Sequence, residues 1–240
     1  MFLSLHMPKT AGTSFRMALQ ERFGTKMLLS YRGQMRGEAG GVPWRSTSGV
    51  YRGRPPVTPY GGTPLLELDE AGRAALAEYC RVNDVQVIHG HFELPPLLEA
   101  LPDARAITFL RDPVERLISS YNHWHLTKPE AAQRTPFEVF LHKPKTINMY
   151  EQHGMLSHLE SLSFIGITEQ YDRSLRLLER MFPELGYLHV EEQNVSKKRV
   201  TKADVTPEMR ARIIELNDGD LMIYAAAKEW FEKACTQYGV

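Results

Sequence analysis

Residues 5–14, LHMPKTAGTS, set one lysine (Lys9), one glycine (Gly12) and three hydroxyls (Thr10, Thr13, Ser14) directly after the hydrophobic run 1–5. Small residues let a backbone close around an anion. A helix starting at the same point adds free N–H groups and a positive dipole end. The expected ligand is therefore phosphate or a group like it. The nucleoside triphosphatase pattern G-x-x-x-x-G-K-[ST] puts its lysine after the last glycine and uses the hydroxyl to hold magnesium. Here Lys9 precedes Gly12, and no aspartate ends the next apolar strand to hold a metal. Taken alone, the short motif also reads as a tight turn with an incidental lysine.

A second segment, FLRDPVERLISSY at 109–121, has the same character. Arg111 stands at the tip of an expected strand, Pro113 opens an expected helix, and Ser119 follows Arg111 by eight residues. An arginine at a strand end and a serine two turns into the next helix can converge on one phosphate: the guanidinium forks onto its oxygens and the hydroxyl adds a donor.

The elements that must position these groups alternate. Short buried strands are expected at 2–6, in KMLLSY (26–31), in VQVIH (85–89), in RAITFL (105–110), in SFIGI (163–167) and in GYLHV (186–190). Helices are expected at 13–23, where Phe15, Leu19 and Phe23 recur every four residues, and at 69–82 with Asp69 as N-cap. Further helices are expected at 94–101, 112–126 and 169–182, with a polar helical stretch to about 159. A last one at 207–237 is broken near NDGD. Strands alternating with helices predict an α/β fold: a P-loop-like three-layer arrangement with a central, mostly parallel sheet flanked by helices. Ligands in such folds lie beyond the carboxyl ends of the strands, where both anion motifs fall. Residues 31–64 differ, with eight glycines, five prolines, five arginines and one acidic residue; they are expected to form a long loop or lid inserted in one domain spanning 1–240.

The 240 residues are 42% hydrophobic and 24% charged, ordinary globular usage that allows a sizeable core. Lys plus Arg and Asp plus Glu are 29 each, so bulk charge points to neither nucleic acid nor membrane. No apolar run approaches the ~20 residues of a membrane span, and the first residues do not read as a signal peptide. A soluble cytoplasmic protein is expected. Cys80 and Cys235 are too far apart for zinc-ligand spacing and are expected to be structural.

Together, HMPKTAGTS and RDPVERLISSY resemble the two signature segments of the sulfotransferases that use 3'-phosphoadenosine 5'-phosphosulfate, and most of all those of the carbohydrate enzymes of the heparan sulfate 2-O type. The resemblance implies that Lys9, Thr10, Ala11, Gly12, Thr13 and Ser14 form the loop for the 5'-phosphosulfate. It likewise implies that Arg111 and Ser119 clamp the 3'-phosphate, with adenosine 3',5'-bisphosphate as product. FIGITEQYDRSLRLLE is similar to the family's strand-and-helix segment. NVSKKR (194–199), with Lys197 and Arg199, is similar to its late loop near the nucleotide. DLMIYAAA resembles its terminal helix with an Asp and a Tyr. Glycan members of the family are mostly membrane-anchored; this chain reads as a soluble, bacterial-type member acting on a hydroxyl of a glycan or other small molecule.

Sulfuryl transfer needs a base for the acceptor proton and positive charge at the bridging oxygen. Lys9 suits the second task. For the first, His89 and His91 flank a glycine at a strand end, on one side if the chain stays extended. The 2-O glycan enzymes carry a similar HGH to which catalytic work is assigned. His91 is expected as base with His89 as second base or orienting group. Glu93 competes, since other glycan sulfotransferases use a glutamate. A zinc pair at His89 and His91 lacks a third ligand; two histidines capping a strand end is the structural alternative. His123, Trp124 and His125 could line an acceptor cleft or join the core. Lys197 and Arg199 could contact nucleotide or be a solvated charge run. The arginines of 31–64 (Arg32, Arg36, Arg45, Arg52 and Arg54) could grip an anionic acceptor or lie on a surface loop. Two other functions remain: an ATP-dependent small-molecule kinase on the same fold, and a nucleotide- or sulfated-glycan-binding protein without turnover. No metal is expected.

Overall fold

The structure, a computed structural model, describes residues 1–31, 34–36, 38–39, 42–43, 70–188, 200–201 and 204–240. It opens with β1 (Phe2–Leu5), whose four residues are all buried, and α1 (Gly12–Phe23), which buries Phe15, Ala18 and Leu19 on one face. Four short strands follow: β2 (Met27–Tyr31), β3 (Gln34–Arg36), β4 (Glu38–Ala39) and β5 (Val42–Pro43). Helix α2 (Glu70–Val82) buries Gly72, Leu76 and Cys80 at four-residue spacing and leads to β6 (Val87–Gly90). Next come α3 (Leu94–Ala100), β7 (Arg105–Leu110) and α4 (Pro113–Thr127).

The polar stretch expected to be helical to about 159 is four short helices: α5 (Pro129–Gln133), α6 (Phe137–Leu141), α7 (Met149–Gln152) and α8 (Met155–His158). The chain closes with β8 (Leu162–Ile167), α9 (Tyr171–Met181), α10 (Pro207–Leu216) and α11 (Asp218–Tyr238). The break between the last two has a local cause. Buried Asn217 donates its side-chain N–H to Ile213 O at 2.9 Å and accepts Asn148 N–H at 3.0 Å, so its side chain is committed across the joint.

Among the described residues, six strands form one sheet in the order β3-β2-β6-β1-β7-β8. The five from β2 to β8 are parallel, and β3 pairs antiparallel with β2 at the edge. The α/β expectation holds. The sheet grows from β1 in both directions, through β6 on one side and β7 on the other, so the order switches beside β1. That switch is where such folds open a crevice at their carboxyl edge.

Two expectations are corrected. The segment 31–64 is not free of elements, because β3, β4 and β5 lie in its first third, with β3 extending the main sheet. These strands are each only two or three residues long, too short to carry a readable alternation. The strand expected at 186–190 is irregular at its described residues, Gly186–Leu188, where Gly186 takes φ 67°. Asp69, Arg32, Arg45, Arg52 and Arg54, together with 189–190, lie outside the described residues, as do Lys197 and Arg199; the side chain of Arg36 does too.

The main core joins both faces of the sheet and takes in both cysteines, which are free; burial pushes the Cys80 thiol up to about 12. A smaller cluster beneath α4 gathers Val114, Leu117, Ile118, Tyr121, Phe137, Phe140, Leu141 and Ile213. Among the described residues, no helix is long and apolar enough to cross a membrane.

Candidate active site

The loop after β1 carries two non-glycine residues at positive φ, Lys9 at 68° and Ala11 at 64°. Each such residue costs roughly 1–2 kcal/mol. Strain of this kind persists where the surroundings enforce it, and it clusters at ligand-holding sites. Turns that alternate handedness bring successive N–H groups towards one point. Buried Thr10 holds the loop shut by donating its hydroxyl to Met7 O at 2.8 Å. That hydroxyl proton is already used, so Thr10 offers an anion only its backbone N–H. Ser14 is half-buried and Thr13 exposed on the first turn of α1. Gly12 has a packing reason: a Cβ there would stand 1.9 Å from the Cδ2 and Nε2 of His6.

At the tip of β7, Arg111 is tied down by its main chain. Its N–H donates to the Tyr150 hydroxyl at 2.9 Å, and that hydroxyl donates to Arg111 O at 2.7 Å. Its guanidinium reaches Lys9 O with Nη1 at 3.5 Å, Glu115 with Nη2 at 3.5 Å and Glu169 with Nε at 3.8 Å. The two motifs, 102 residues apart, therefore meet at one place. Burial, and then the Arg111 guanidinium, hold the Lys9 ammonium below its usual range. Lys9 and Arg111 repel each other in this half-buried crevice, and Glu115 and Glu169 offset part of the charge on the Arg111 side alone. Ser119 is half-buried on α4, one turn beyond Glu115 on the same face. The turn itself is shaped by Asp112, whose carboxylate caps α4 by accepting Val114 N–H and Glu115 N–H, both at 3.0 Å.

Both histidines at the end of β6 meet a third, His6, which the motif analysis did not single out. The His6 ring lies 5.4 Å from that of His89 at 19° and 4.8 Å from that of His91 at 83°. Gly90 makes this possible. Its φ is 152°, and a Cβ there would stand 1.7 Å from Ser30 O, the acceptor of His91 N–H at 2.6 Å. His89 is 1% exposed, with Nδ1 2.8 Å from the hydroxyl of Ser4. His91 is only half-buried. Burial, and then His153 beyond α7, lower the His91 imidazole to about 4. Burial, followed by His91, Lys9 and Arg16, lowers His6 to about 3. Burial, with His6, His91 and Arg16, also depresses His89. All three rings are neutral at pH 7, and an uncharged imidazole accepts a proton. Glu93 is exposed at the N-cap of α3 and caps nothing with its side chain. Among the described residues, no three His, Cys, Asp or Glu side chains are placed to hold a metal ion.

Of YNHWH, Trp124 packs on Phe140 (5.3 Å) and His125 on Tyr121 (4.5 Å), both in the second core. His123 is exposed, and burial and then Lys9 lower its imidazole. The Asp and Tyr of the terminal helix both lead back to Arg111. Tyr224 donates to Glu169 at 2.8 Å, and Glu169 also accepts Asp112 N–H at 3.0 Å. Asp220 accepts Tyr150 N–H at 2.8 Å and pairs with buried Arg116 at 3.4 Å. Sequence reasoning missed Tyr150 and Glu169, whose partners lie 39 and 57 residues away.

A model of the sulfotransferase family matches residues 82–225. The chain belongs to the sulfotransferase family. The matched residues include His89, His91, Glu93, Arg111 and Ser119, and the Lys9 loop precedes them. The crystal structure of a sulfotransferase from Alicyclobacillus acidocaldarius is similar at 16% identity, over 93% of this chain and 94% of that one, with a TM-score of 0.44. No curated protein matches the chain. Family membership supports sulfuryl transfer to a hydroxyl-bearing acceptor as the activity.

Proposed function

We propose that this sulfotransferase, acting as one domain over 1–240, moves a sulfuryl group from 3'-phosphoadenosine 5'-phosphosulfate to a carbohydrate hydroxyl. The observation that carries the reading is the meeting of Arg111 with the Lys9 loop, which sets two cations beside a turn strained at Lys9 and Ala11. This suits a donor with one anion at each end of its ribose. In this reading Lys9 and the loop N–H groups hold the 5' end, and Arg111 with Ser119 holds the 3'-phosphate. Such a donor supplies an activated S–O bond.

His91 takes the acceptor's proton on its neutral ring. As the acceptor oxygen bonds to sulfur, the bond from sulfur to the 5'-phosphate oxygen breaks, and its electron pair leaves with the phosphate. Lys9 neutralises the charge that appears there. His89, closed into the core, orients rather than accepts. The carbohydrate class of acceptor rests on the likeness of the HGH segment to the 2-O glycan enzymes.

Thermal shift and calorimetry with adenosine 3',5'-bisphosphate, ADP and ATP test the donor. The bisphosphate should stabilise the protein without magnesium, and ADP much less. Stabilisation by ATP with magnesium and none by the bisphosphate would overturn the reading in favour of a kinase.

A further inference from the structure

We infer that His6 is a positioning residue: its ring, wedged between Gly12 of the donor loop and His91, holds His91 in place and keeps water from it. The inference rests on the assignment of His91 as base. His6 follows β1 directly, and its N–H donates to Gly90 O at 2.8 Å, continuing the strand pairing by one residue. That bond fixes where the side chain starts. On one side the ring fills the space that any side chain at position 12 would need, since a Cβ there falls 1.9 Å from it. On the other side it stands edge-to-face with His91 at 4.8 Å. One ring therefore touches both the first residue of α1, where the donor's 5' end is held in the reading above, and the proposed base.

The contact has a chemical consequence. Burial is the largest cause of the low basicity of His91, and the His6 ring supplies part of that cover. The titratable groups around His6 are His89 and His91 from the end of β6, Lys9 from the loop and Arg16 from α1; the one acting on His91 from elsewhere is His153. His6 is itself neutral, so it shields His91 without adding a cation to a site that already holds Lys9 and Arg111. A flat ring suits the slot because it fits against a residue without a side chain.

The test follows the His91 imidazole by NMR, assigned as the resonance missing from His91→Ala. In His6→Ala the titration midpoint should rise by about 1–2 units towards the usual 6.5, because water reaches the ring. Turnover should fall about 10–100-fold through loss of orientation, with affinity for adenosine 3',5'-bisphosphate nearly kept. His6→Phe, which restores a ring, should return both towards wild type. Gly12→Ala should raise the same midpoint by displacing His6, and it carries the test if His6→Ala does not fold. An unchanged His91 midpoint in the alanine variants would overturn the inference, as would a His6→Phe protein that behaves like His6→Ala. Failure of the base assignment shows separately, as a His91→Ala enzyme that still turns over.

Discussion

The hydroxyl of Tyr150 grips the backbone of Arg111 from both sides, accepting its N–H at 2.9 Å and donating to its C=O at 2.7 Å. A side chain thus does at the strand tip what a neighbouring strand does along the ladder. Burial pushes the Tyr150 phenol well above its usual range, so it stays protonated and able to donate. Tyr150→Phe leaves both backbone groups without this partner. The expected cost is about 1–3 kcal/mol of stability, since an orphaned buried group loses more than an average hydrogen bond is worth. Adenosine 3',5'-bisphosphate should bind several-fold more weakly, because the Arg111 guanidinium swings on a looser base. Denaturant melts and calorimetry check both; unchanged affinity would show that the clamp serves the fold alone.

Behind Tyr150 lies a buried ion pair, Arg116 with Asp220, at 2% and 0% side-chain exposure. Arg116 also donates to Thr146 O at 3.0 Å, and Asp220 accepts the N–H groups of Tyr150 and Glu151 at the start of α7. Asp220→Ala strands a buried guanidinium and uncaps α7, and should cost about 3–5 kcal/mol. Replacing both partners, Arg116→Met with Asp220→Leu, removes the stranded charge and should recover part of that loss. Recovery stays incomplete because no leucine caps α7. A loss in the double variant equal to the sum of the Arg116→Met and Asp220→Leu losses in denaturant melts would show that the pair is not coupled.

Stability should fall in acid for a reason specific to the histidine cluster. His6 and His91 have folded values of about 3 and about 4, both depressed from 6.5. Between pH 6.5 and about 4 the unfolded chain therefore binds protons that the folded chain does not. Unfolding free energy drops as pH falls through this window, by up to about 1.4 kcal/mol per pH unit for each proton. Below about 3 these groups add no further slope. His91→Ala should flatten the dependence between pH 6.5 and 4. Equal slopes in the variant and the wild type would contradict the burial of His91.

The two loop motifs and the alternation of strands and helices were legible because each is local: a strand end, a few turn residues, a proline and a helical period. What holds them was not. His6 stands beside its motif, and a polar residue just past a buried strand at the carboxyl edge of a sheet was a usable signal. Its partners His89 and His91 arrive only through the pairing of β1 with β6. Tyr150 sits in a four-residue helix whose sequence shows no period, and its capping carboxylate, Asp220, lies 70 residues away. The strands within 31–64 were hidden because two or three residues carry no readable alternation.

Arg111 should decide which nucleotide binds. Arg111→Ala removes the guanidinium beside the Lys9 loop while Tyr150 keeps its backbone bonds. A charge-assisted phosphate contact is worth on the order of 2 kcal/mol, about 30-fold in affinity. That loss should appear with adenosine 3',5'-bisphosphate and hardly at all with adenosine 5'-phosphosulfate, which has no 3'-phosphate. Equal losses for both nucleotides would place Arg111 at the 5' end instead.

The choice between His91 and Glu93 turns on what each side chain sees. His91 is half-buried, neutral and backed by His6, and its backbone is fixed by the bond to Ser30 O. Glu93 is exposed at the start of α3, with no side-chain bond to its helix. A base acts best when held in line with the proton it takes, and only the histidine is held. The low basicity of His91 in the free protein is itself informative. A bound donor brings negative charge next to the ring, which raises its basicity towards the range where proton transfer is efficient. The acid limb of kcat should therefore lie at higher pH than that of kcat/KM measured with the donor unbound. His91→Ala should lose about 10²–10⁴-fold in single-turnover transfer with donor affinity intact, while Glu93→Gln stays close to wild type. An inactive Glu93→Gln enzyme beside an active His91→Ala would move the proton to the carboxylate and leave the three histidines as the packing that joins β1 to β6.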